Sequence, residues 1–182
     1  MGKIFFTSDT HFSQQRTLDL SKRPFSSVSI MDSVLIRNWN KTVGPDDIIY
    51  HLGDFGDYNI KPHLNGQLVL IKGNYERSGF KREFESCKHY FDEVYEYTHN
   101  ITYDYLGKTY YINMGHEPRR VKGSKIDRSH INLFGHVHKL CMIKHYGINV
   151  GTDCHNFKPI DFETVLFYHN NLLTYYDDDV FY

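Results

Sequence analysis

The chain has 182 residues, 40% of them hydrophobic and 24% charged, and we expect one globular domain over residues 1–182. The formal net charge of −1 argues against a general affinity for nucleic acid or membrane surfaces. Three widely spaced cysteines form no zinc-type pair and no apolar run could span a bilayer, so we expect a cytoplasmic protein with reduced thiols.

Apolar runs and a helical pattern alternate in the first half of the chain. The runs predict buried strands over residues 3–8, 48–52 and 68–72. Two helices are predicted, over residues 28–41 and 80–90. The first of them places Met31, Leu35 and Trp39 on one face, which is typical of an amphipathic helix packed on a sheet.

Strand-like runs and turn signals dominate the second half. These strands are predicted over residues 93–97, 101–106, 109–114, 131–134, 139–144 and 147–150. A short helix is predicted from Phe162 to His169. The segment from Leu172 to Tyr182 is predicted to form a last strand.

Five of the apolar runs end in residues that can bind a metal ion. These residues are Asp9 and His11, Asp54, Asn74, His116, and His136 and His138. The carboxyl ends of strands form the functional crevice of layered α/β proteins, so we expect these side chains to converge. Carboxylate, imidazole and amide without thiolate suit Mn²⁺, Fe, Zn²⁺ or Ni²⁺ in an open catalytic site. The glycines at positions 53, 73, 115 and 135 are expected to provide backbone angles that only glycine adopts easily.

The ordered motifs Asp-x-His, Gly-Asp, Gly-Asn, Gly-His and Gly-His-x-His resemble those of the calcineurin-like metallophosphoesterases. The resemblance extends from Asp9 to His138, about two-thirds of the chain. It implies an α/β fold, a four-layer α-β-β-α sandwich of two mixed sheets flanked by helices. It also implies two metal ions with one shared carboxylate. One ion would be held by Asp9, His11, Asp54 and His138, and the other by Asp54, Asn74, His116 and His136.

The implied activity is that of a dinuclear metal-dependent phosphoesterase, which hydrolyses a phosphomonoester or phosphodiester by attack of a metal-bridging hydroxide. Two adjacent cations need an anionic bridge such as Asp54, and they lower the pKa of a bridging water. The expected cofactors are two divalent ions, manganese first, with iron, zinc or nickel as alternatives. The expected substrate is a phosphorylated small molecule or a nucleotide. The candidate catalytic residues are Tyr75, Asp54 and His116.

Tyr75 is a departure from the family pattern, which usually has histidine directly after the asparagine. That histidine protonates or stabilises the leaving-group oxygen. A phenol is protonated at neutral pH and can donate a hydrogen bond. Alternatively Tyr75 only packs, and His51 or His155 donates the proton. In a further alternative catalysis is lost, and the chain is a binding or scaffold protein on the same fold.

A basic segment over residues 119–128 follows His116 directly and holds five basic residues and one acidic residue. Arg119 and Arg120 are therefore candidates for binding substrate phosphate, although a solvated loop is an equal interpretation. Arg23 is a further candidate, with a turn as the alternative. The segment also raises the possibility of a nuclease, against which the net charge and the single-domain length count.

Two further aspartates follow apolar runs and could orient ligand histidines from behind. Asp57 completes a Gly-Asp-x-x-Asp pattern, and Asp153 follows the run that ends at Gly151. A carboxylate behind a ligand imidazole fixes its orientation and its tautomer. The alternative for both residues is an ordinary turn.

Overall fold

Two mixed sheets form the centre of the molecule, and the computed structural model describes residues 2–175. Within this range the strands are β1 (Ile4–Thr7), β2 (Ile48–His51), β3 (Gln67–Ile71), β4 (Glu93–Tyr95), β5 (Thr98–Tyr105), β6 (Lys108–Gly115), β7 (His130–Phe134), β8 (Ile143–Lys144), β9 (Gly147–Asn149) and β10 (Ile160–Asp161). The first sheet has the order β10-β1-β2-β3-β4, and the second has the order β5-β6-β7-β9-β8.

Parallel pairing in both sheets determines where the polar clusters lie. In the first sheet β1 to β4 are parallel, and β10 pairs antiparallel with β1. In the second sheet β6, β7 and β9 are parallel, with β5 and β8 antiparallel at the edges. The carboxyl ends of the parallel strands in each sheet therefore lie at one edge, where a crevice is expected.

Helices flank the sheets within the described residues. They are α1 (Gln15–Leu20), α2 (Val28–Thr42), α3 (Lys81–Cys87), α4 (Pro118–Val121) and α5 (Phe162–Tyr175). α2 begins at an N-cap, the Ser27 hydroxyl, which accepts a hydrogen bond from the Ile30 amide and so satisfies a free donor of the first turn. The predicted face of this helix is buried through Met31, Leu35 and Trp39. Among residues 2–175, no helix has both the length and the apolar character needed to cross a membrane.

Alternation of side chains along the strands produces two apolar layers. Between the sheets, Phe6 of β1 and Ile112 of β6 belong to one buried cluster. On the other face of the first sheet, Phe5 and Ile49 pack in a second cluster with Leu35 of α2. On the outer side of the second sheet, α4 contacts β6 and β7. The fold is therefore α/β, a four-layer α-β-β-α sandwich of two mixed sheets.

Two predicted strands differ from the structure. Residues 172–175 continue α5, because Val165, His169 and Leu172 recur at helical spacing and are all buried. The rest of that predicted strand, residues 176–182, lies outside the described residues. The strand predicted over residues 139–144 shortens to β8, because a 3₁₀ turn precedes it.

Candidate metal centre

The polar clusters that follow the five strands converge at one edge of the sandwich. Two groups have ligand atoms that all lie within 4.8 Å of one another. The first ligand group consists of Asp9, His11 and His138, and the second consists of Asp54, His116 and His136. Asn74 joins the second group, because its Oδ1 lies 3.0 Å from His116 Nε2. The structure thus brings together every residue that the sequence suggested as a ligand.

Two buried ligand atoms of the first group lack a hydrogen-bond partner among the described residues. Asp9 Oδ1 and His11 Nε2 have no hydrogen-bond partner within residues 2–175, and they lie 3.9 Å apart. Nearly all buried polar atoms in native proteins are hydrogen-bonded, so such atoms need an explanation. A cation between them satisfies both at once, and a carboxylate with a neutral imidazole is a common donor set for it.

Hydrogen bonds behind the rings turn the histidines of the first group towards the crevice. His11 Nδ1 lies 2.7 Å from Gln14 Oε1, and His138 Nδ1 lies 3.0 Å from Asp153 Oδ2. Because Nδ1 donates in each case, Nε2 keeps its lone pair and faces the crevice, as in metal-bound histidines. The predicted contact of Asp153 with a ligand histidine is therefore present in the structure.

Arg23 holds this arrangement from behind, and its predicted role in substrate binding is wrong. The side chain is 5% exposed, and its Nε and Nη2 donate to the two oxygens of Asp153 at 2.9 and 2.8 Å. The guanidinium also donates to the carbonyl oxygens of Thr10 and Asp9, at 2.7 and 2.6 Å. A guanidinium engaged in this way cannot bind substrate, and Arg23 instead links two ligand-bearing loops.

The second ligand group is arranged around His116. Its Nδ1 donates to the Leu52 carbonyl at 2.7 Å. Its Nε2 lies 3.0 Å from Asn74 Oδ1, 3.1 Å from His136 Nδ1 and 3.4 Å from Asp54 Oδ2. Three electron-rich atoms around one nitrogen form a set of donors that a cation could occupy in common.

His11 of the first group and His116 of the second differ in protonation. Burial lowers the pKa of His11 to about 4, so its imidazole is neutral and ready to coordinate. Burial also lowers the pKa of His116, but the hydrogen bond to Asp54 and the charges of Asp9 and other carboxylates outweigh it and raise the pKa to about 9. A cation entering the second group must therefore displace a proton.

Asp54 lies between the two groups. Its Oδ2 is 3.7 Å from His11 Nε2 and 3.4 Å from His116 Nε2. Its Oδ1 accepts a hydrogen bond from the Tyr75 amide at 3.0 Å. Burial raises the pKa of Asp54, but the hydrogen bond and charge of His116 outweigh this and lower it to about 2. The carboxylate is thus anionic at neutral pH and positioned to be shared by two cations.

Left-handed backbone conformations concentrate at the ligands themselves. The non-glycine ligand residues with positive φ are Asp9 (57°), His11 (49°), Asp54 (57°), His136 (71°) and His138 (48°). Such a conformation costs an L-residue about 1–2 kcal/mol, and it persists only where the surroundings enforce it, typically at functional sites.

The glycines beside the ligands mostly serve a different purpose from the predicted one. Of the four, Gly53 has a positive φ of 93°, whereas Gly73, Gly115 and Gly135 do not. At Gly73 and Gly135 there is no room for a side chain. A Cβ on Gly73 would overlap the Asp54 carboxylate, and one on Gly135 would overlap Asp9. These glycines let the backbone approach the ligands closely.

Glu76 is a structural residue that the sequence reasoning missed. Its buried carboxylate accepts hydrogen bonds from the backbone amides of Asp54 and Phe55, both at 2.9 Å, and of Gly73, at 2.7 Å. It thereby joins the loop after β2 to the loop after β3. Burial and the neighbouring charge of Asp54 raise the pKa of Glu76. The only sequence signal was an acidic residue two positions after Asn74.

Tyr75 faces the crevice, whereas the two alternative proton donors do not. Its ring meets His11 edge-on at 4.9 Å and stacks on Phe80 at 5.4 Å. His51 is fully buried, and burial lowers its pKa to about 3. His155 donates from Nε2 to the Asn149 carbonyl at 2.7 Å, in the interior. Neither histidine lines the crevice, so Tyr75 is the remaining candidate beside the leaving group.

A cavity of about 300 Å³ opens above the two ligand groups. Its lining includes Arg16 and Leu20 of α1, and Lys139 and Leu140 of the turn after His138. None of these four residues stood out in the sequence, because they belong to no motif. A larger cavity of about 580 Å³ lies on the outer face of the second sheet, and its lining contains none of the candidate ligands.

Three remaining candidates from the sequence have other roles. Arg119 and Arg120 do not line the cavity, and both pair with Glu117 at 3.1 Å. Their predicted contact with substrate phosphate stays a prediction, and in the structure both side chains are paired with an acidic neighbour on the same turn. Asp57 caps a 3₁₀ turn by accepting from the Asn59 amide at 3.0 Å, so its alternative role as a turn residue is correct.

Comparison with known proteins identifies one sequence relative over nearly the whole chain and a second over less than half of it. The chain is 30% identical over 175 residues to the uncharacterized protein MJ1445 of Methanocaldococcus jannaschii, which covers 91% of this chain and 90% of that protein. It is also 30% identical over 82 residues to the gene 66 protein of Mycobacterium phage L5, covering 45% of this chain and 37% of the phage protein. No protein-family model matches the sequence.

A solved structure shares the fold. The protein of unknown function AQ665 from Aquifex aeolicus superposes with a TM-score of 0.65 and is 25% identical, covering 91% of this chain and 98% of the other. The similarity supports the layered α/β sandwich described above. Neither its description nor the names of the two sequence relatives assigns an activity, so function has to be argued from the geometry of the ligand groups.

Proposed function

This chain belongs to the family of the uncharacterized protein MJ1445 of Methanocaldococcus jannaschii, and we propose that it is a dinuclear metal-dependent phosphoesterase of the calcineurin-like type. The observation that carries the proposal is the position of Asp54 Oδ2, within 3.7 Å of His11 Nε2 and 3.4 Å of His116 Nε2. One carboxylate oxygen between two sets of nitrogen and oxygen donors is the arrangement that two neighbouring cations require.

The ligands in this proposal are those of the two groups. Asp9, His11 and His138 hold one divalent ion, Asn74, His116 and His136 hold the other, and Asp54 is shared. The orphaned atoms of the first group support this role, since they gain a partner when an ion binds. Manganese is the first choice because carboxylate, amide and imidazole donors suit it, with iron, zinc or nickel as alternatives.

The chemistry follows from what such a centre can supply. A bound pair of divalent ions provides a nucleophilic hydroxide at neutral pH and neutralises charge on a phosphoryl group. The protein holds the ligands in place through Gln14, Asp153 and Glu76, so that little reorganisation is needed during reaction. Tyr75 lies at the crevice with its phenol, a hydrogen-bond donor for the oxygen of a leaving group. The substrate class is a phosphomonoester or phosphodiester.

A binding or scaffold protein on the same fold is the second candidate, favoured by tyrosine in place of the usual histidine. Turnover decides between the two. We expect the Mn²⁺-loaded wild type to hydrolyse an activated phosphodiester or phosphomonoester, and Asp54→Asn to lose at least about a thousandfold of this activity. Asp57→Asn is the matched control, since its carboxylate caps a turn and belongs to neither ligand group. The proposal would be contradicted if the protein bound two ions and hydrolysed none of a panel of phosphoesters.

A further inference from the structure

Two cationic side chains stand at the mouth of the cavity above the ligand groups. Arg16 projects from α1, and Lys139 follows the ligand His138 directly; both line the same cavity of about 300 Å³. The two elements are linked, because Ser21 Oγ at the end of α1 lies 3.2 Å from His138 Nδ1. We propose that Arg16 and Lys139 bind a second phosphate of the substrate, which is a nucleotide-sized compound with two phosphate groups. This inference rests on the proposed function.

Absence of internal partners distinguishes these two cations. Within residues 2–175, the side chains of Arg16 and Lys139 make no hydrogen bond or ion pair. The arginines near the crevice that do have partners are bound to carboxylates: Arg23 to Asp153, and Arg77 to Glu117 at 2.9 Å. Those pairs have structural roles, whereas Arg16 and Lys139 keep their charge available to an anion entering the cavity.

Charge balance indicates what that anion is. Two divalent ions bring four positive charges, and Asp9 with Asp54 contributes two negative charges. Asp153 is neutralised by Arg23, and the Glu76 carboxylate is held by three backbone amides. A hydroxide supplied by the ions would neutralise one of the two remaining positive charges, so the centre stays cationic and suits one phosphate group. Arg16 and Lys139 then carry two further charges, which a second phosphate matches.

Size and rim composition restrict the rest of the molecule. A volume of about 300 Å³ is at the lower end of the range for small-molecule sites. Leu20 and Leu140 flank the two cations at the rim with 70% and 86% of their surfaces exposed, so they offer apolar contact to an organic group between the phosphates. A small organic bisphosphate fits this combination better than a long nucleic-acid strand.

Equilibrium binding tests the inference without turnover. The probes are propane-1,3-bisphosphonate and propylphosphonate, which neither water nor the enzyme can hydrolyse at the carbon–phosphorus bond. Isothermal titration calorimetry on the Mn²⁺-loaded wild type is expected to show the bisphosphonate bound about tenfold more tightly. In Arg16→Gln/Lys139→Gln this advantage is expected to fall below about threefold. The matched control Arg37→Gln/Lys41→Gln removes two exposed cations of α2 and should keep the wild-type advantage.

Kinetics separates this inference from the proposed function. Wild type should show a higher kcat/KM for a nucleoside bisphosphate than for the monophosphate, and the difference should arise from a lower KM. The Arg16→Gln/Lys139→Gln variant should lose that preference. Turnover without any preference for a second phosphate would overturn the inference and leave the proposed function intact. Preference that keeps growing with oligonucleotide length would overturn the small-molecule assignment. An absence of metal-dependent turnover would instead count against the proposed function.

Discussion

The two ligand groups of the centre are held in different ways. In the first group, side chains provide the support, since Gln14 orients His11 and the buried pair of Arg23 and Asp153 orients His138. In the second group the backbone provides most of it, since the Leu52 carbonyl orients His116 and the Tyr75 amide holds Asp54. The first support includes the Arg23–Asp153 pair, whose members are 130 positions apart, and the second uses backbone groups of the segments that follow β2 and β3.

The groups also differ in what they lack. The first leaves Asp9 Oδ1 and His11 Nε2 buried and unpartnered within the described residues, so it carries a desolvation penalty that an ion relieves. In the second, His116 Nε2 lies 3.0 Å from Asn74 Oδ1 and 3.4 Å from Asp54 Oδ2, and the neighbouring carboxylates raise the pKa of His116 to about 9. His11 of the first group is therefore neutral, whereas His116 of the second has to lose a proton before it can coordinate a cation. We expect the first group to fill first.

Breaking the charged support of the first group should have the largest effect on stability. Arg23→Met leaves Asp153 buried without its partner, and we expect the free energy of unfolding to fall by about 3–5 kcal/mol. Urea denaturation of the metal-free protein measures it. The control is Arg119→Met, whose side chain is 74% exposed and which should change stability by less than about 1 kcal/mol. Equal effects of the two variants would mean that Arg23 is no more important than a surface arginine.

The double variant Arg23→Met/Asp153→Leu sharpens the same comparison. Replacing both partners by apolar groups removes the uncompensated charge, so stability should return towards that of wild type. His138 still loses the carboxylate acceptor of its Nδ1 proton and keeps only the Ser21 hydroxyl at 3.2 Å, so the first ion should remain weakly bound. Recovery of stability without recovery of metal affinity would separate the folding role of the pair from its positioning role.

The strand-end pattern made much of this centre predictable. The ligand clusters each follow an apolar run, and parallel pairing brings strand ends to one edge, so convergence follows from topology. The Arg23–Asp153 pair could not be foreseen, because its members are 130 positions apart and no motif marks them. The sequence also did not indicate that Glu76 is buried, since a charged residue in a loop is usually solvated.

Contacts that the sequence does not reveal explain the wrong prediction at Leu172 and the missed residues at the rim of the cavity. Leu172 was assigned to a strand, but its packing at helical spacing from Val165 extends α5. The basic run around Arg119 suggested a phosphate clamp, yet Glu117 lies close enough to pair with it. The cavity is lined instead by residues of α1, a short helix that the sequence did not reveal because it has no clear apolar periodicity. Charge counts in a sequence cannot tell paired from unpaired cations.

His51 connects the two groups and should make stability depend on pH. Its Nε2 contacts Thr10 Oγ1 at 3.0 Å in the loop of the first group, and its Nδ1 accepts from the Gly53 amide at 3.2 Å in the loop of the second. Burial lowers the pKa of His51 from 6.5 to about 3, and the charges of His116 and His11 act in the same direction.

The sign follows from proton binding. Below pH 6.5 the His51 imidazole binds a proton in the unfolded state but not in the folded state. The contribution of His51 to the free energy of unfolding is therefore complete above pH 6.5. It is lost as pH falls towards 3, by about 1.4 kcal/mol per unit. His51→Asn keeps an acceptor for the Gly53 amide and does not titrate. Urea denaturation between pH 7.5 and 5 in EDTA should therefore give a shallower loss for this variant, and an unchanged slope would contradict the assignment.

Removing the support of one ring should weaken one ion selectively. Gln14→Leu deprives His11 Nδ1 of its acceptor, and we expect the affinity of the first ion to fall about tenfold. The second ion, whose ligands have other supports, should bind as in wild type. Calorimetric titration with Mn²⁺ resolves the two steps, and Gln15→Leu is the adjacent control, because Gln15 bonds only to exposed Asp19. Equal weakening of both ions would show that the groups are not independently supported.

Tyr75 touches both groups, and its substitution should have the smallest effect. Its amide holds Asp54 while its ring lies against His11, and Tyr75→Phe keeps both contacts and removes only the hydroxyl. If that hydroxyl donates to the leaving-group oxygen, kcat for an alkyl phosphoester should fall about fivefold, the usual value of one neutral hydrogen bond. An activated nitrophenyl ester needs no such donor and should react at the wild-type rate.

The complementary variant tests whether the phenol limits the reaction. Tyr75→His supplies an imidazole, whose protonated form is a stronger acid than a phenol, so kcat for the alkyl ester should rise while that for the nitrophenyl ester changes little. Equal responses of both esters to Tyr75→Phe and Tyr75→His would mean that the ring acts through packing. Its contact with His11 would then be its function, and the leaving group would depart without a donor from this position.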